Sequence, residues 1–144
     1  DNYTTYDPKE ITGYINNDSE IWIHSPRNNY FANCQVAPLV QIQKNQLVLD
    51  GKWTTIMQIG KGIPNNEEYV GKLSCTYNVI GKKKVNFKDQ QFDCWEIKAH
   101  GIHDNLGEST TSFLYNEEIG IMSIHFKFYD ASSILLNLIG FTKN

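Results

Sequence analysis

Long apolar runs are absent from this sequence: the longest candidate, "SILLNLIGF", is interrupted by Asn137 and Gly140. A membrane-spanning helix needs roughly 20 apolar residues, so no transmembrane segment is expected and this stretch reads as a strand. Basic charge is scarce as well. A net charge of −3 argues against non-specific nucleic-acid binding, which needs a broad cationic surface to displace counterions. The one basic run, residues 82–84, reads as a solvated turn or as a strand edge guarded by lysines. The three cysteines, Cys34, Cys75 and Cys94, cannot all pair within one chain, and they lack the C-x2-C spacing of zinc sites. One disulfide with a free thiol and three buried thiols are both compatible with this count. No G-x-S-x-G, phosphate-cradling glycine loop or H-E-x-x-H occurs, so the local signatures of several enzyme classes are missing and a non-enzyme is expected. The chain opens at Asp1 without an initiator Met or a visible signal peptide; an exported protein whose leader has been removed opens this way, and so does any trimmed chain.

What is present is a length and composition suited to one globular domain, residues 1–144, with 40% hydrophobic and 20% charged residues. The dominant hydrophobic period is two. Met122, Ile124, Phe126 and Phe128 alternate with Ser123, His125 and Lys127; Leu73, Cys75, Tyr77 and Val79 alternate with Lys72, Ser74, Thr76 and Asn78. Each series predicts a strand with one face on a core. "ESTTSFLY" and "FDCWEIKAH" have the composition of further strands, the second with Trp95, Ile97 and Ala99 on one face and Phe92 and Cys94 on the other. Turn residues cluster at 88–91, 101–107, 116–120 and 130–133, which predicts short antiparallel connections.

The N-terminal third is less regular. Residues 1–19 read as irregular, with room for one helical turn after Pro8, and "EIWIH" as a short strand. Residues 25–38 read as a long excursion, because Pro26 and Pro38 interrupt ladder pairing. "LVQIQKNQLVLDGKWTTIMQIG" predicts two or three strands broken near Lys44-Asn45 and at Asp50-Gly51. Asn2 and Asn17 head N-x-S/T triplets, ordinary matches in an Asn-rich chain. The expected fold is all-β: a curled antiparallel meander, half-barrel or barrel, with little helix.

The stretch "YVGKLSCTYNVIGKKKVNFKDQQFDCWEIKAHG" resembles a pattern in exported bacterial β-proteins and lipoproteins, where the equivalent piece runs V-x-V-P-A-G-x-F-x-C/A-x-x-I. "TTSFLYNEEIGIMSIHFKF" resembles the aromatic strand, glycine-ended turn and following strand of the same group. "LVLDGKWTTIMQI" is similar to its Gly-x-x-Trp strand start, with Gly51 and Trp53 one residue closer. The likeness covers roughly residues 40–140 and departs at the turn, where "KDQQ" replaces Pro-Ala-Gly. It implies an exported, periplasmic or lipid-anchored protein with a curved sheet, distantly like the lipoprotein-carrier (LolA/LolB-like) half-barrels. It brings no catalytic residues.

The candidate chemistry is modest. His100, His103 and Asp104 form the best metal cluster and would centre a metal-dependent hydrolase. A hairpin loop running from His100 to Gly107, stabilised by Asp104 and Asn105, is the simpler reading, and no metal or cofactor is expected. Cys94 sits among strand residues without the context of a cysteine nucleophile. A hairpin centred on residues 88–91 places Val85 opposite Cys94, so a Cys75–Cys94 disulfide requires the pair to meet from non-adjacent strands or around Lys83-Lys84, and Cys34 is a rival partner. Glu67-Glu68 and Glu117-Glu118 are adjacent loop acids whose side chains diverge, unlike a glycosidase pair. Trp53, Tyr77, Trp95, Phe113, Phe126 and Phe128 either line a cavity for a lipid or other apolar ligand, or simply form the core. The leading expectation is a non-catalytic exported envelope or binding protein. Its rival is a protein–protein module, such as an inhibitor or immunity protein for a secreted toxin, using "NNEEY", "YNEEIG" and residues 25–38 as its contact surface.

Overall fold

The computed structural model describes residues 13–25, 29–61 and 67–141. Within them run β1 (Tyr14–Asn16), β2 (Glu20–Ile23), β3 (Val40–Gln43), β4 (Lys52–Ile59), β5 (Gly71–Phe87), β6 (Gln90–His103), β7 (Gly107–Asn116), β8 (Gly120–Lys127) and β9 (Ser133–Asn137). β1-β2-β3 form a three-stranded antiparallel sheet, and β4 to β9 a six-stranded meander in sequence order. The all-β antiparallel expectation therefore holds. The sheet stays open, with β4 and β9 as its edges, so the barrel alternative is replaced by an uncapped meander. Helical geometry among the described residues is confined to 3-10 segments at Asn29–Val36, Lys44–Gln46 and Glu67–Tyr69.

Residues 1–12 lie outside the described region, and with them the turn expected after Pro8. Tyr14–Asn16, expected to be irregular, pairs with β2 instead. Asn17 makes that hairpin possible, because its Oδ1 accepts the N–H groups of Ser19 and Glu20, each at 2.9 Å.

In the large sheet, period-two patterning decides which face is covered. Leu73, Cys75, Tyr77 and Val79 of β5 are buried while Lys72 and Thr76 are exposed. A single row of Cα partners crosses every strand: Trp53, Tyr77, Ala99, Thr111, Phe126 and Ile134. The outer row beside it is Thr54, Thr76, His100, Thr110, Lys127 and Ser133. Bulges at Ile80 and Met122 shift the register between Val79 and Gly81 and between Leu114 and Tyr115.

Two hairpins differ from expectation. The β5–β6 turn is only Lys88-Asp89, with Lys88 at φ 52, so Phe92 faces Val85 and Cys94 faces Lys83. β6 continues to His103 and leaves residues 104–106 as the turn, so the loop from His100 to Gly107 is half strand. Beyond the reach of β4, residues 82–84 pair with β6 alone, so the lysine run lies on a strand edge.

The inner face is not left concave. Residues 34–40, which span the end of the expected excursion and the start of the strand predicted after it, are all buried and cross the sheet as a covering strap. Ile21, Val36, Val40 and Ile42 share one hydrophobic cluster with Trp53, Leu73, Tyr77, Ile97 and Phe113. A backbone strap in an apolar interior must satisfy its carbonyls. Tyr77 Oη donates to Leu39 O at 2.9 Å, and Thr111 Oγ1 donates to Pro38 O at 2.7 Å. Proline at 38 also offers no N–H to satisfy there.

Candidate functional site

The six aromatic residues proposed for a cavity do share the inner side of the sheet, and there they form core. Trp53, Tyr77, Phe113, Phe126 and Phe128 are buried and Trp95 is half-buried. Trp53 stacks on Tyr77 with centroids 5.1 Å apart, and Phe126 on Phe128 at 6.0 Å. Phe126 and Phe128 close a smaller cluster with Cys34 and Ala37. The strap of residues 34–42 thus occupies the position in which an apolar ligand would lie.

The histidines part company because three residues along a strand reverse the face. His100 is on the outer row, with Nε2 3.2 Å from the exposed Glu108 Oε2. His103 points inward and is 2% exposed. Its Nδ1 accepts the N–H groups of Asn105 at 3.2 Å and Leu106 at 3.3 Å, which leaves the Nε2 proton to donate to Tyr69 O at 3.0 Å. Asp104 and Asn105 do bond to backbone, but across to the start of β5: Asp104 Oδ2 accepts Lys72 N–H at 3.0 Å and Asn105 Nδ2 donates to Val70 O at 2.8 Å. His100, His103 and Asp104 are therefore tied to separate structural partners. Among the described residues, no group of three His, Cys, Asp or Glu side chains converges to hold a metal.

All three cysteines are free and buried. The Cys75–Cys94 disulfide is corrected by register: Cys75 faces Gly101, seven positions along β6 from Cys94. Seven residues of strand span about 20 Å and an odd number reverses the face, against the ~5.5 Å a disulfide needs. Burial pushes the Cys34 thiol up to about 12 and Cys75 to about 11, with Thr55 and Tyr77 hydrogen bonds lowering the latter in part. Burial, then the charge of Asp93, raises Cys94 as well. Thiols held protonated are poor nucleophiles.

A recess does form where the two sheets meet, and the sequence pointed to only one of its walls. The "YNEEIG" turn supplies that wall. Asn116 shapes it: its Oδ1 accepts the N–H groups of Glu118 and Ile119 at 3.0 Å, its Nδ2 donates to Asp93 O at 2.9 Å, and Gly120 at φ 101 starts β8. The opposite wall comes from β1 and β2. Between them lies a cleft of about 260 Å3, with Ile21 and Ile121 as apolar lining and Tyr14, Asn16, Glu117 and Glu118 around it. Tyr14 is 60% exposed. Trp95 Nε1 donates to Glu117 Oε1 at 3.0 Å, and Lys82 Nζ lies 4.4 Å from the Trp95 ring centroid. On the far side, Lys44 Nζ donates to Asn16 Oδ1 at 3.0 Å. Burial, then Glu117 and Tyr14, pushes the Tyr115 hydroxyl up. The β1–β2 wall carried a legible signal, an Asn-Asp-Ser turn between short apolar segments.

No protein-family model, curated protein or solved structure matches this chain.

Proposed function

We propose that this chain is a non-catalytic binding module of an exported bacterial protein, and that it engages a protein partner at the end where the "YNEEIG" turn meets β1 and β2. The cleft of about 260 Å3 between those elements is the observation that carries this reading. A recess of that size accepts a protruding side chain rather than a whole acyl chain, since sites for drug-sized ligands run from about 300 Å3 upward. Its apolar lining suits the stem of such a side chain, and its tyrosine, asparagine and glutamates suit a polar tip. A protein partner is favoured over a lipid because the aromatic inner face is already covered by residues 34–42. The absence of catalysis is proposed because the candidate groups are otherwise engaged. His103 ties a turn, and the thiols are buried and raised. The exported setting rests on the likeness of residues 40–140 to exported β-proteins.

A photo-crosslinking side chain at Tyr14, in the protein expressed in its own host, tests this reading, with the same probe at outer-face Ile56 as control. One protein adduct from position 14, absent at 56 and abolished by Glu117→Lys, is the expected result. Equal labelling from both positions, or a co-purifying lipid in native mass spectrometry, would overturn it. Fractionation of the same cells reports the compartment.

A further inference from the structure

The edges of the six-stranded sheet are unequally defended. Val79 N–H donates to Gly51 O, so alternation along β4 directs the backbone groups of Lys52, Thr54, Ile56 and Gln58 outward, with a lysine among them. The free edge of the β5–β6 ribbon carries the lysines of residues 82–84. β1 is only three residues long. β9 has none of these protections. From residue 131 to 141 the chain contains no charged residue and no proline, and no bulge interrupts the β8–β9 pairing. Such an edge is a template for another strand.

Hydrogen bonding fixes what that edge offers. Phe128 N–H donates to Ser132 O, and Leu138 N–H to Met122 O, each at 2.9 Å. In an antiparallel ladder bonded pairs recur at every second residue, so Ile134 and Leu136 also direct their backbone groups toward β8. The N–H and C=O groups of Ser133, Leu135 and Asn137 therefore point away from the sheet. Among the described residues no strand pairs with them. Leu135 is 60% exposed and Ile139 87% exposed.

We infer that the outer edge of β9 pairs with β9 of a second copy of this chain, antiparallel, about a two-fold axis at Leu135. That axis sets Leu135 against Leu135 of the partner copy and Ser133 against Asn137, so each outward donor meets an outward acceptor. An identical copy fits because the strand is uncharged: self-pairing of either lysine-bearing edge would oppose like charges, whereas here leucine meets leucine. The pairing joins two six-stranded meanders into one continuous sheet and leaves the cleft at the β1–β2 end uninvolved.

Sedimentation velocity of the full chain, from micromolar to submillimolar concentration, tests this. A reversible monomer–dimer equilibrium is expected for the natural sequence. Leu135→Pro removes an outward N–H without breaking a bond to β8, and Leu135→Lys places like charges at the axis; both are expected to abolish the dimer. Ile56→Lys, on the far edge strand, is expected to keep it. If Leu135→Pro disturbs folding, as judged by far-ultraviolet circular dichroism, Leu135→Lys decides. A monomer at every concentration, a dimer that persists in Leu135→Lys, or slow amide exchange of Leu135 and Asn137 in the monomer would overturn the inference.

Discussion

The ring of Pro38 lies directly on Gly101: a Cβ placed on Gly101 would come within 2.8 Å of Pro38 Cγ and 3.1 Å of Leu73 Cδ1. The strap can therefore approach β6 only because that position has no side chain. Gly101→Ala is expected to destabilise the fold by about 1–3 kcal/mol through overpacking, outweighing the ~0.4–1 kcal/mol gained from a less flexible unfolded chain. Gly60→Ala, where a Cβ meets nothing within 4 Å, is the control. Urea midpoints of the two variants make the comparison.

Trp53 offers a second contrast. Its ring stacks on Tyr77 at 5.1 Å while its buried Nε1 finds no hydrogen-bond partner among the described residues. Trp53→Phe keeps an aromatic ring on Tyr77 and removes the unpaired donor, so a cost below ~1.5 kcal/mol is expected. Trp53→Ala opens a core cavity, for about 3–5 kcal/mol. Equal losses in denaturant melts would contradict this account of the stack.

His103 and His100 are expected to separate cleanly. His103→Ala deprives Tyr69 O and the N–H groups of Asn105 and Leu106 of their partner, which costs about 1–3 kcal/mol where the groups stay buried. His100→Ala removes one exposed contact with Glu108, an effect within ~0.5 kcal/mol. Added zinc is expected to leave the melting temperature unchanged, since the two side chains face opposite sides of β6. A zinc-dependent rise lost in both variants would reinstate the metal reading.

Cys34, Cys75 and Cys94 are expected to resist a thiol reagent in the native protein at pH 8 and to react fully in denaturant. A reductant should leave the melting temperature unchanged, because no disulfide forms. Cys34 and Cys75 rise on folding from 9.0 to about 12 and about 11. A raised folded value keeps the thiol protonated, so its stabilising effect is full below pH 9 and fades as pH climbs through the folded values. Alkaline melts should show stability falling across that window.

At the turn before β9, Asp130 Oδ1 accepts Ser132 N–H at 3.0 Å and also its hydroxyl, and Oδ2 accepts Asn33 Nδ2 at 3.3 Å. The Ser132 hydroxyl is the largest cause holding the Asp130 carboxyl below its ordinary 3.8. A depressed folded value contributes stability above pH 3.8, and that contribution is lost as pH falls through the folded value. The protection of β9 amides, measured against their intrinsic exchange rates, should therefore fall below pH 3.8 in the natural sequence, and Asp130→Ala should remove that acid dependence.

Alternation made β5 and β8 legible, because each has one face on a core, and Thr-rich, aromatic composition did the same for β7. The turn at residues 117–119 was legible for a related reason: "YNEEIG" carries both its capping asparagine and its glycine. His100 and His103 show where local reading fails. Their proximity in sequence suggested one site, yet the strand extends to His103 and three residues of pleat set them on opposite faces. Cys75 and Cys94 fail likewise: they lie on neighbouring strands, but Cys75 faces Gly101, seven positions along β6 from Cys94 and on the opposite face.

An all-β antiparallel meander with an aromatic inner face follows from the amino-acid order alone, since period-two burial and turn chemistry act over a few residues. What covers that face is settled only by packing in three dimensions. Residues 25–38 read as a long excursion because Pro26 and Pro38 oppose a ladder, yet Tyr77 and Thr111, distant in sequence, satisfy the carbonyls of Leu39 and Pro38 and draw the end of that segment inside. The cleft arose at the same level, since β1–β2 and the "YNEEIG" turn are brought together by packing between sheets. Contacts between residues so far apart leave no local periodicity to read.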